Sequence, residues 1–419
     1  MATTNTFGTP NNSVGTLNGL FKETYADKLQ ELIPDGVKIL NKIKFTSKDK
    51  MPGNLFHQPV ILGMEHGVTF ASSDEDAFNL NAPVAGVIKD AQVRGNPVVM
   101  RSLLGYVAAS RAAQGGNKSF MDATKFLVAN MLRSMAKKLE IEMIYGQMGY
   151  GAISAVSTTT LTIKTSEWAP GIWAGAEGMP IEIRDVTGAT SRGESTVASV
   201  DMDARTVTLV TAIAGIVTTA NSEDIIWHKG AYGNEFPGIH KILTVQSGTL
   251  FNINVGTYNL FRGNIYSAGT AALSFTKLQS AAARAVEKGL DGDLFALVNP
   301  RAWANMMTDQ AALRRYDSSY STSKAETGSK SIMFHSQNGT IEIEPSIYVK
   351  EGYAYCLSLG DWFRVGSTDM TFKQPGQGED YFRHLENAAA FELRLYSDQA
   401  LFCHAPGKSV LINNIVNTN

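Results

Sequence analysis

The sequence contains little cysteine, little net charge and no long hydrophobic run, and each of these shortages excludes a class of protein. Its 419 residues include two cysteines, Cys356 and Cys403. Neither belongs to a C-x-x-C pair, so a zinc ribbon, a thioredoxin-like site and a disulfide framework are disfavoured. The first 16 residues are polar, and no stretch approaches the ~20 apolar residues of a membrane span. We therefore expect a chain that folds in a reducing cytoplasm without membrane contact.

The charges of the chain nearly cancel. The 37 Lys and Arg residues oppose 39 Asp and Glu residues, which gives a formal net charge of -2. Proteins that hold DNA through its phosphates usually carry a clear basic excess. We therefore expect only weak, non-specific contact with DNA, through a local basic patch. The composition, with 44% hydrophobic and 18% charged residues, is typical of packed globular protein, and the length suggests two or three domains.

The usual motifs of nucleotide binding and catalysis are incomplete or missing. The run Pro406-Gly407-Lys408-Ser409 resembles the end of a P-loop, but the first glycine of that motif would fall on Phe402. Gly149-Tyr150-Gly151 and Gly376-Gln377-Gly378 begin like a dinucleotide fingerprint and then lack its third glycine. The sequence has neither G-x-S-x-G nor H-E-x-x-H. Each fragment is better interpreted as a turn.

The residue types that bind metals are scattered along the chain. No two histidines stand four residues apart, the spacing that lets two rings meet a metal on one helix face. The seven histidines are His57, His66, His228, His240, His335, His384 and His404. The pairs Asp201/Asp203 and Asp291/Asp293 resemble calcium loops but lack the later Glu ligand. We therefore predict no catalytic residue, no metal ligand and no cofactor. An α/β enzyme is the least favoured alternative, and a perturbed carboxylate or histidine in a deep pocket would be its sign.

The first quarter of the chain is predicted to be elongated. Residues 17–32 have apolar residues at helical spacing, and Pro34-Asp35-Gly36 separates them from a second short helix at 37–43. These helices belong either to the core or to an arm that docks on a neighbour. Residues 55–106 read as two long extended arms around a polar, flexible tip at 63–81. A compact domain rarely keeps so long and sparsely hydrophobic a segment without using it.

The middle of the chain predicts one long helix followed by a β-rich block. The helix at 119–145 opens on a capping-box spacing at Ser119 and stops at Gly146, and it is about 40 Å long. Residues 152–227 contain at least five short strands, with a hairpin turn at 201–204, and predict a small barrel or sandwich. The alternative is that these strands pair with the main sheet of the α/β domain that follows them, the axial domain.

The remaining chain is predicted to be mixed α/β. Helices are expected at 275–288 and 303–307 around a buried strand at 294–298, and an exposed loop is expected at 316–330. The later segments with strand character are 341–349, 353–359, 391–396 and 401–404.

This order of elements resembles the major capsid proteins of tailed bacteriophages and herpesviruses. The extended segment 55–106 lies directly before the long helix, as the family's extended loop precedes its spine helix. The helix closes on Tyr145-Gly146-Gln147-Met148-Gly149-Tyr150-Gly151, which is similar to the family's glycine-bearing close. Phe236-Pro237-Gly238-Ile239 resembles the Pro-Gly-Ile that normally follows this close at short distance. Leu297-Val298-Asn299-Pro300 resembles the family's strand-turn-helix. The block between Gly151 and Pro237 then looks like an insertion.

The resemblance implies an α+β capsid fold with an N-terminal arm, an extended β-hairpin loop, a long spine helix, an axial α/β domain and an inserted β-barrel-like domain. The implied divisions are an N-terminal arm (1–50), an extended loop (51–106), a peripheral domain with the spine helix (107–151), an inserted β-domain (152–232), an axial domain (233–345) and return strands (346–419).

The resemblance also implies a function without an active site. The expected role is self-assembly, through hexamers and pentamers, into the icosahedral head that encloses a double-stranded DNA genome. Expected partners are a separate scaffolding protein, rather than a cleaved N-terminal segment, a portal and a decoration protein, and the expected location is the virion, assembled in a bacterial cytoplasm. The alternatives are an encapsulin-like nanocompartment shell, which would hold a cargo enzyme, and another virion component, which would not form closed shells.

The near-neutral charge predicts weak binding of duplex DNA by the free subunit. Because few counterions are released by a chain with no basic excess, we expect a non-specific Kd of ~10⁻⁴ M or weaker, independent of sequence. Fluorescence anisotropy of two unrelated duplexes at low and physiological salt measures this. A tight complex that survives physiological salt would contradict the prediction.

Overall fold

The computed structural model describes residues 36–43, 45–50, 55–74, 77–106, 123–307, 332–373, 382–386 and 388–417. The helix predicted at 17–32, the capping box at Ser119 and the loop predicted at 316–330 lie outside these residues. The helices of the described residues are α1 (Ile39–Lys42), α2 (Ala123–Tyr145), α3 (Pro170–Trp173), α4 (Ile239–Thr244), α5 (Phe275–Val286) and α6 (Pro300–Met307).

The strands of the described residues follow the same chain order. They are β1 (Phe45–Lys50), β2 (Phe56–Gly63), β3 (Val87–Val93), β4 (Asn96–Gly105), β5 (Gly151–Ser157), β6 (Thr160–Ile163), β7 (Pro180–Arg184), β8 (Ser191–Asp201), β9 (Thr206–Leu209), β10 (Ile225–His228), β11 (Thr249–Leu250), β12 (Ile253–Asn254), β13 (Asn264–Ala271), β14 (Leu294–Val298), β15 (Ile332–His335), β16 (Thr340–Pro345), β17 (Ala354–Leu357), β18 (Trp362–Thr371), β19 (Phe382–Leu385), β20 (Ala388–Cys403) and β21 (Val410–Ile415).

The first sheet is organised around the long strand β20. On one side β20 pairs with β18 and β19, and β1 extends this side by lying parallel to β18. On its other side β20 pairs with β4 over ten residues, from Asn96 opposite Gln399 to Gly105 opposite Ala390. The antiparallel pair β2 and β3 forms a separate two-stranded hairpin that leads into β4. The two extended arms predicted for 55–106 are therefore confirmed.

The second sheet has six strands in the order β13-β21-β17-β14-β16-β15. Its centre, β14, reads Leu-Phe-Ala-Leu-Val and is buried along its whole length, as expected of a strand covered on both faces. The strand is parallel to β16 and antiparallel to β17. Helix α5 packs on this sheet through Leu278, Ala281 and Ala285, which recur at helical spacing. The predicted strand-turn-helix after residue 294 is confirmed, with its helix beginning at Pro300.

Residues 151–228 form a closed barrel in the order β10-β5-β6-β9-β8-β7. Strands β6 and β9 alternate half-buried threonines with buried aliphatic residues, so that one face of each strand fills the interior. The carboxylate of Asp201 accepts hydrogen bonds from the N–H groups of Asp203 and Ala204, both at 2.9 Å, and fixes the predicted turn between β8 and β9. The alternative, that these strands pair with the main sheet of the axial domain, is wrong, because in the described part of the chain they pair only with one another.

The chain leaves the spine helix α2 and returns to it at one point. Gly238 N–H donates to Gly146 O at 3.0 Å. A Cβ on Gly146 would lie 2.1 Å from Phe236 O, and a Cβ on Gly238 would lie 2.6 Å from Gly146 N. Only two glycines allow the backbones to approach this closely. The glycine-bearing close and the Pro-Gly-Ile thus meet in space, although Gly146 and Gly238 are 92 residues apart in the chain.

Several strand predictions need correction. The segments 391–396 and 401–404 belong to one strand, β20, because the polar residues between them are buried and paired: Gln399 donates to Ser397 Oγ at 2.8 Å and accepts from Arg364 at 2.9 Å. The strand predicted at 341–349 ends at Pro345. Strands β1, β13, β18 and β21 carry glycine or polar residues that interrupt an alternating pattern, and the sequence did not predict them.

The contact between the two glycines predicts that Gly238→Ala strongly destabilises the subunit. The added methyl would meet backbone atoms of α2, which cannot move without shifting the helix end, so a loss of at least ~2 kcal/mol is expected. Urea denaturation measures it. Gly360→Ala is the matched control, because nothing lies within 4 Å of its Cβ position. Equal stability of both variants would contradict the contact.

Candidate assembly surfaces

The hairpin is the most apolar exposed part of the described chain. Among the described residues, 9 of the 21 exposed large hydrophobic side chains lie between positions 55 and 93. They are Leu55, Ile61, Met64, Val68, Phe70, Phe78, Leu80, Val84 and Ile88. Phe70 is 91% exposed and Leu80 is 80% exposed. A concentration of exposed apolar side chains in one segment is typical of an interaction site in soluble proteins.

The base of the hairpin is fixed to the body of the subunit. The ring of Phe56 lies 6.0 Å from each of the rings of Phe363 and Phe402, in edge-on contacts. Gln92 N–H donates to Phe251 O at 3.0 Å, and Ala91 is fully buried. The exposed hydrophobic side chains of the hairpin therefore lie on an element whose base is packed against the body of the subunit.

Hydrogen bonds also cross the tip of the hairpin. His66 N–H donates to Val84 O at 3.1 Å. Asn81 donates from its backbone to Thr69 Oγ1 at 2.8 Å and from its side chain to Val68 O at 3.0 Å. The polar residues that suggested a loose tip thus tie its two sides together.

The first described helix docks on the spine of its own subunit. The buried carboxylate of Glu140 accepts hydrogen bonds from the N–H groups of Lys38, Ile39 and Leu40 at 2.7–3.0 Å. Burial raises the pKa of Glu140, and the three donors oppose this rise. Lys42 forms an ion pair with Glu344 at 3.0 Å. For residues 37–43, packing in the core is therefore the correct one of the two alternatives.

A buried ion pair joins the barrel to the six-stranded sheet and the spine. Lys350 Nζ lies 2.6 Å from Glu167 Oε2, and Tyr353 OH donates to Glu167 Oε1 at 2.6 Å. The hydroxyl of Tyr145, at the end of α2, accepts from Lys350 N–H at 2.8 Å. Burial acts against ionisation of Glu167, but Lys350 outweighs it and lowers the pKa of Glu167 to about 2.

An ion pair and a close backbone contact also connect the barrel to residues 347–351. Arg205, in the turn between β8 and β9, donates to both oxygens of Glu351 at 3.1 and 3.2 Å. Gly171 N–H donates to Ile347 O at 2.8 Å, and a Cβ on Gly171 would lie 2.7 Å from the ring of Tyr348. The barrel is thus fixed against residues 347–351, and the lack of a side chain at Gly171 allows the backbone to pack against Tyr348.

Two acidic residues, the buried Glu142 and the half-buried Glu235, lie where the chain enters and leaves the barrel. Glu142 Oε1 accepts from Phe236 N–H at 3.2 Å, and Glu235 Oε2 accepts from Gln147 N–H at 3.0 Å. Burial, with repulsion from Glu235, raises the pKa of Glu142 to about 8. Burial raises the pKa of Glu235 to about 7. The carboxylate of Glu235 therefore opposes ionisation of Glu142.

These buried charged residues stand at joints between elements. Among the described residues, no group of three or more His, Cys, Asp or Glu is placed to hold a metal ion, and no helix is long and apolar enough to cross a membrane. His240 is buried against Tyr355 at 2.8 Å, and burial lowers its pKa to about 4. The sequence analysis missed Glu140 and Glu142. The sequence feature that indicates their burial is their position among apolar residues at the C-terminal end of α2.

The raised pKa of Glu142 predicts that stability falls with rising pH. In the unfolded chain this carboxyl ionises near its ordinary pKa of 4.5, and in the folded chain only near 8. Its contribution is therefore present below pH 4.5 and lost as pH rises through 8. Glu142→Gln keeps the acceptor for Phe236 and should stabilise the subunit at pH 8 by on the order of 2 kcal/mol, with no gain at pH 4.5.

Denaturation of both proteins at the two pH values measures this effect. Glu194→Gln, at a half-exposed ion pair with Lys229, is the matched control and should change stability by less than ~0.5 kcal/mol at either pH. A Glu142→Gln effect that is the same at pH 4.5 and pH 8 would contradict the assignment.

No family model and no curated protein matches the sequence. Solved structures do match it over nearly its whole length. The cyanophage A-1(L) capsid asymmetric unit has a TM-score of 0.57 at 12% identity, covering 96% of this chain and 99% of that chain. The capsid of a native GTA particle has a TM-score of 0.51 at 8% identity, covering 97% and 99%. A Mycobacterium phage Bobi chain has a TM-score of 0.50 at 12% identity, covering 96% and 98%. The chain therefore has the α+β fold of the major capsid proteins of tailed bacteriophages.

Proposed function

We propose that the protein is a major capsid protein that assembles into the icosahedral head of a tailed bacteriophage and encloses its double-stranded DNA. The observation that carries this proposal is a capsid fold over nearly the whole chain that presents a fixed, apolar hairpin to solvent. A shell protein needs long elements that reach its neighbours, and it needs no reactive site. The titratable groups described above sit in joints between elements, which suits this role.

The hairpin offers enough apolar surface to drive association. Ile61, Met64, Phe70, Leu80 and Ile88 are each more than 60% exposed. Each such side chain contributes roughly 1–2 kcal/mol when a neighbour covers it. Several together offset much of the ~4–15 kcal/mol that association costs in lost freedom of motion. Repetition of the same contact around rings of six and five would close a shell.

The divisions proposed for the chain are an N-terminal arm (1–50), of which residues 37–43 pack on the spine of their own subunit, an extended loop (51–106), a peripheral domain (107–151), an inserted barrel (152–232), an axial domain (233–345) and return strands (346–419). The meeting of Gly146 and Gly238 supports the insertion, because an insertion must leave and re-enter at one point. The barrel would steady the subunit or contact neighbouring capsomers.

The partners follow from the same function. They are copies of the chain in hexamers and pentamers, a separate scaffolding protein, a portal and a decoration protein, with weak non-specific contact to packaged DNA. The assembled protein belongs to the virion and is built in the cytoplasm of a bacterial host.

Electron microscopy and light scattering of the purified chain, alone and with the products of its neighbouring genes, test the proposal. We expect closed icosahedral particles with rings of six and five subunits. A chain that stays monomeric at high concentration beside its scaffolding partner would contradict the proposal. Particles that enclose an enzyme rather than DNA would instead indicate a nanocompartment.

The exposed tip predicts that deleting residues 63–81 leaves a folded subunit that cannot form stable shells. No described residue of this segment is buried, so the melting temperature should change little while particle yield falls at least tenfold. Phe70→Ser with Leu80→Ser should act in the same direction. Met333→Ser, an exposed change on β15 at 65% exposure, is the control and should leave assembly intact. Unfolding of the deletion variant would show that the tip belongs to the core.

A further inference from the structure

A basic cavity lies between the spine helix α2 and the barrel. Its volume is about 290 Å³, close to the ~300 Å³ at which small-molecule sites begin. Arg133, Lys137 and Lys138 line it from α2, and the loop that joins α3 to β7 forms the opposite wall. Of the described residues in this lining, Glu177 alone is a carboxylate. The cavity therefore carries an excess of positive charge.

The two lysines of this cavity contact groups that carry no formal charge. Lys138 Nζ lies 3.1 Å from Met179 Sδ and 5.5 Å from the centre of the Tyr150 ring. Lys137 Nζ donates a hydrogen bond to the carbonyl oxygen of Ala174. A thioether, a ring and a carbonyl are weak substitutes for a counterion beside a partly buried ammonium group.

The basic groups of the cavity also disfavour one another's charged forms. Burial lowers the pKa of Lys137 and of Lys138 to about 8, and this outweighs the attraction of Glu177 for Lys137 and of Glu235 for Lys138. His228 lines the cavity from the barrel, and burial, together with the charge of Lys138, lowers its pKa. An anion inside the cavity would stabilise the protonated form of each of these groups.

The lining indicates what kind of anion fits. Asn130 and Ser134 lie four residues apart on the same helix face as Lys138, so that neutral hydrogen-bond donors stand beside the lysines. The ligand of such a lining carries more than one negative charge and several acceptor oxygens in a small volume. A phosphate group meets both conditions, since it is nearly a dianion at neutral pH and has three oxygens that accept strong hydrogen bonds.

We propose that this cavity binds a phosphate group, as the free ion or as part of a small phosphate ester, through Lys137 and Lys138. The bound group connects the spine helix to the barrel, because the lysines belong to α2 and the opposite wall belongs to the loop between α3 and β7. The site adds to the shell function proposed above and does not depend on it.

Calorimetric titration of the purified full-length subunit with inorganic phosphate tests the proposal. We expect saturable binding, and a rise in melting temperature of about 2 °C at a tenfold excess of phosphate over its Kd. Adenosine monophosphate distinguishes the two sources, because tighter binding than that of inorganic phosphate indicates an ester and weaker binding indicates the free ion. No saturable binding of either, with the same melting temperature in sodium chloride of equal ionic strength, overturns the proposal.

Lys138→Met identifies the site. The variant should bind phosphate at least tenfold more weakly, since it loses a charge-assisted hydrogen bond. Its melting temperature without phosphate should not fall, because an uncharged side chain of similar length replaces a poorly compensated charge. Lys241→Met, which removes another half-buried lysine on α4 outside the cavity, is the matched control and should keep the affinity. Unchanged affinity in both Lys138→Met and Lys137→Met overturns the assignment.

Amine acetylation of the unsubstituted subunit at pH 8 gives a test that needs no variant to fold. Bound phosphate should lower the acetylation rate of Lys137 and Lys138 roughly fivefold, the loss of free amine when a pKa near 8 rises by one. The exposed Lys89 on β3 should react at the same rate with and without phosphate. Mass spectrometry of peptides measures all three rates. Rates at Lys137 and Lys138 that phosphate leaves unchanged overturn the proposal.

Discussion

The architecture depends on one backbone contact, where Gly238 donates to Gly146 at the end of the spine helix. A side chain on either residue would collide with main-chain atoms, so this contact requires glycine twice. Because the chain leaves the main body and returns to it at adjacent points, the six-stranded barrel lies between them without separating the elements of the main body. The spine, the barrel and helix α4 are all placed relative to one another by this point.

Buried charges then fix the parts that the glycines bring together. Glu140 holds α1 against the spine through three N–H groups, and Lys350 with Glu167 holds the barrel. Glu142 and Glu235, whose pKa values are raised, bind backbone N–H groups where the chain enters and leaves the barrel. Removing one partner of such a buried pair costs more than the pair itself contributes, so these groups specify the arrangement of the parts. The hairpin is left as the element that faces outward with apolar side chains.

Much of this fold could be predicted from the sequence, and the exceptions have physical reasons. The hairpin, the spine and the barrel strands carry strong periodicity or clear turn residues, such as Asp201. Strand β20 was divided in two because Ser397 and Gln399 are polar; their burial depends on the hydrogen bond between them and on the one that Arg364 donates to Gln399. Glu140 and Glu142 could not be singled out from the sequence, because the backbone groups that bind them belong to elements far away in the chain.

The central claim is that the hairpin, exposed in the subunit, is the contact that holds subunits together. Hydrogen–deuterium exchange of free subunits and of assembled particles measures this most directly. Amides of residues 64–74 and 77–86 should exchange rapidly in the free subunit and at least tenfold more slowly in particles, while amides of β14 remain protected in both. Equal exchange of these tip amides in subunits and particles would contradict the account.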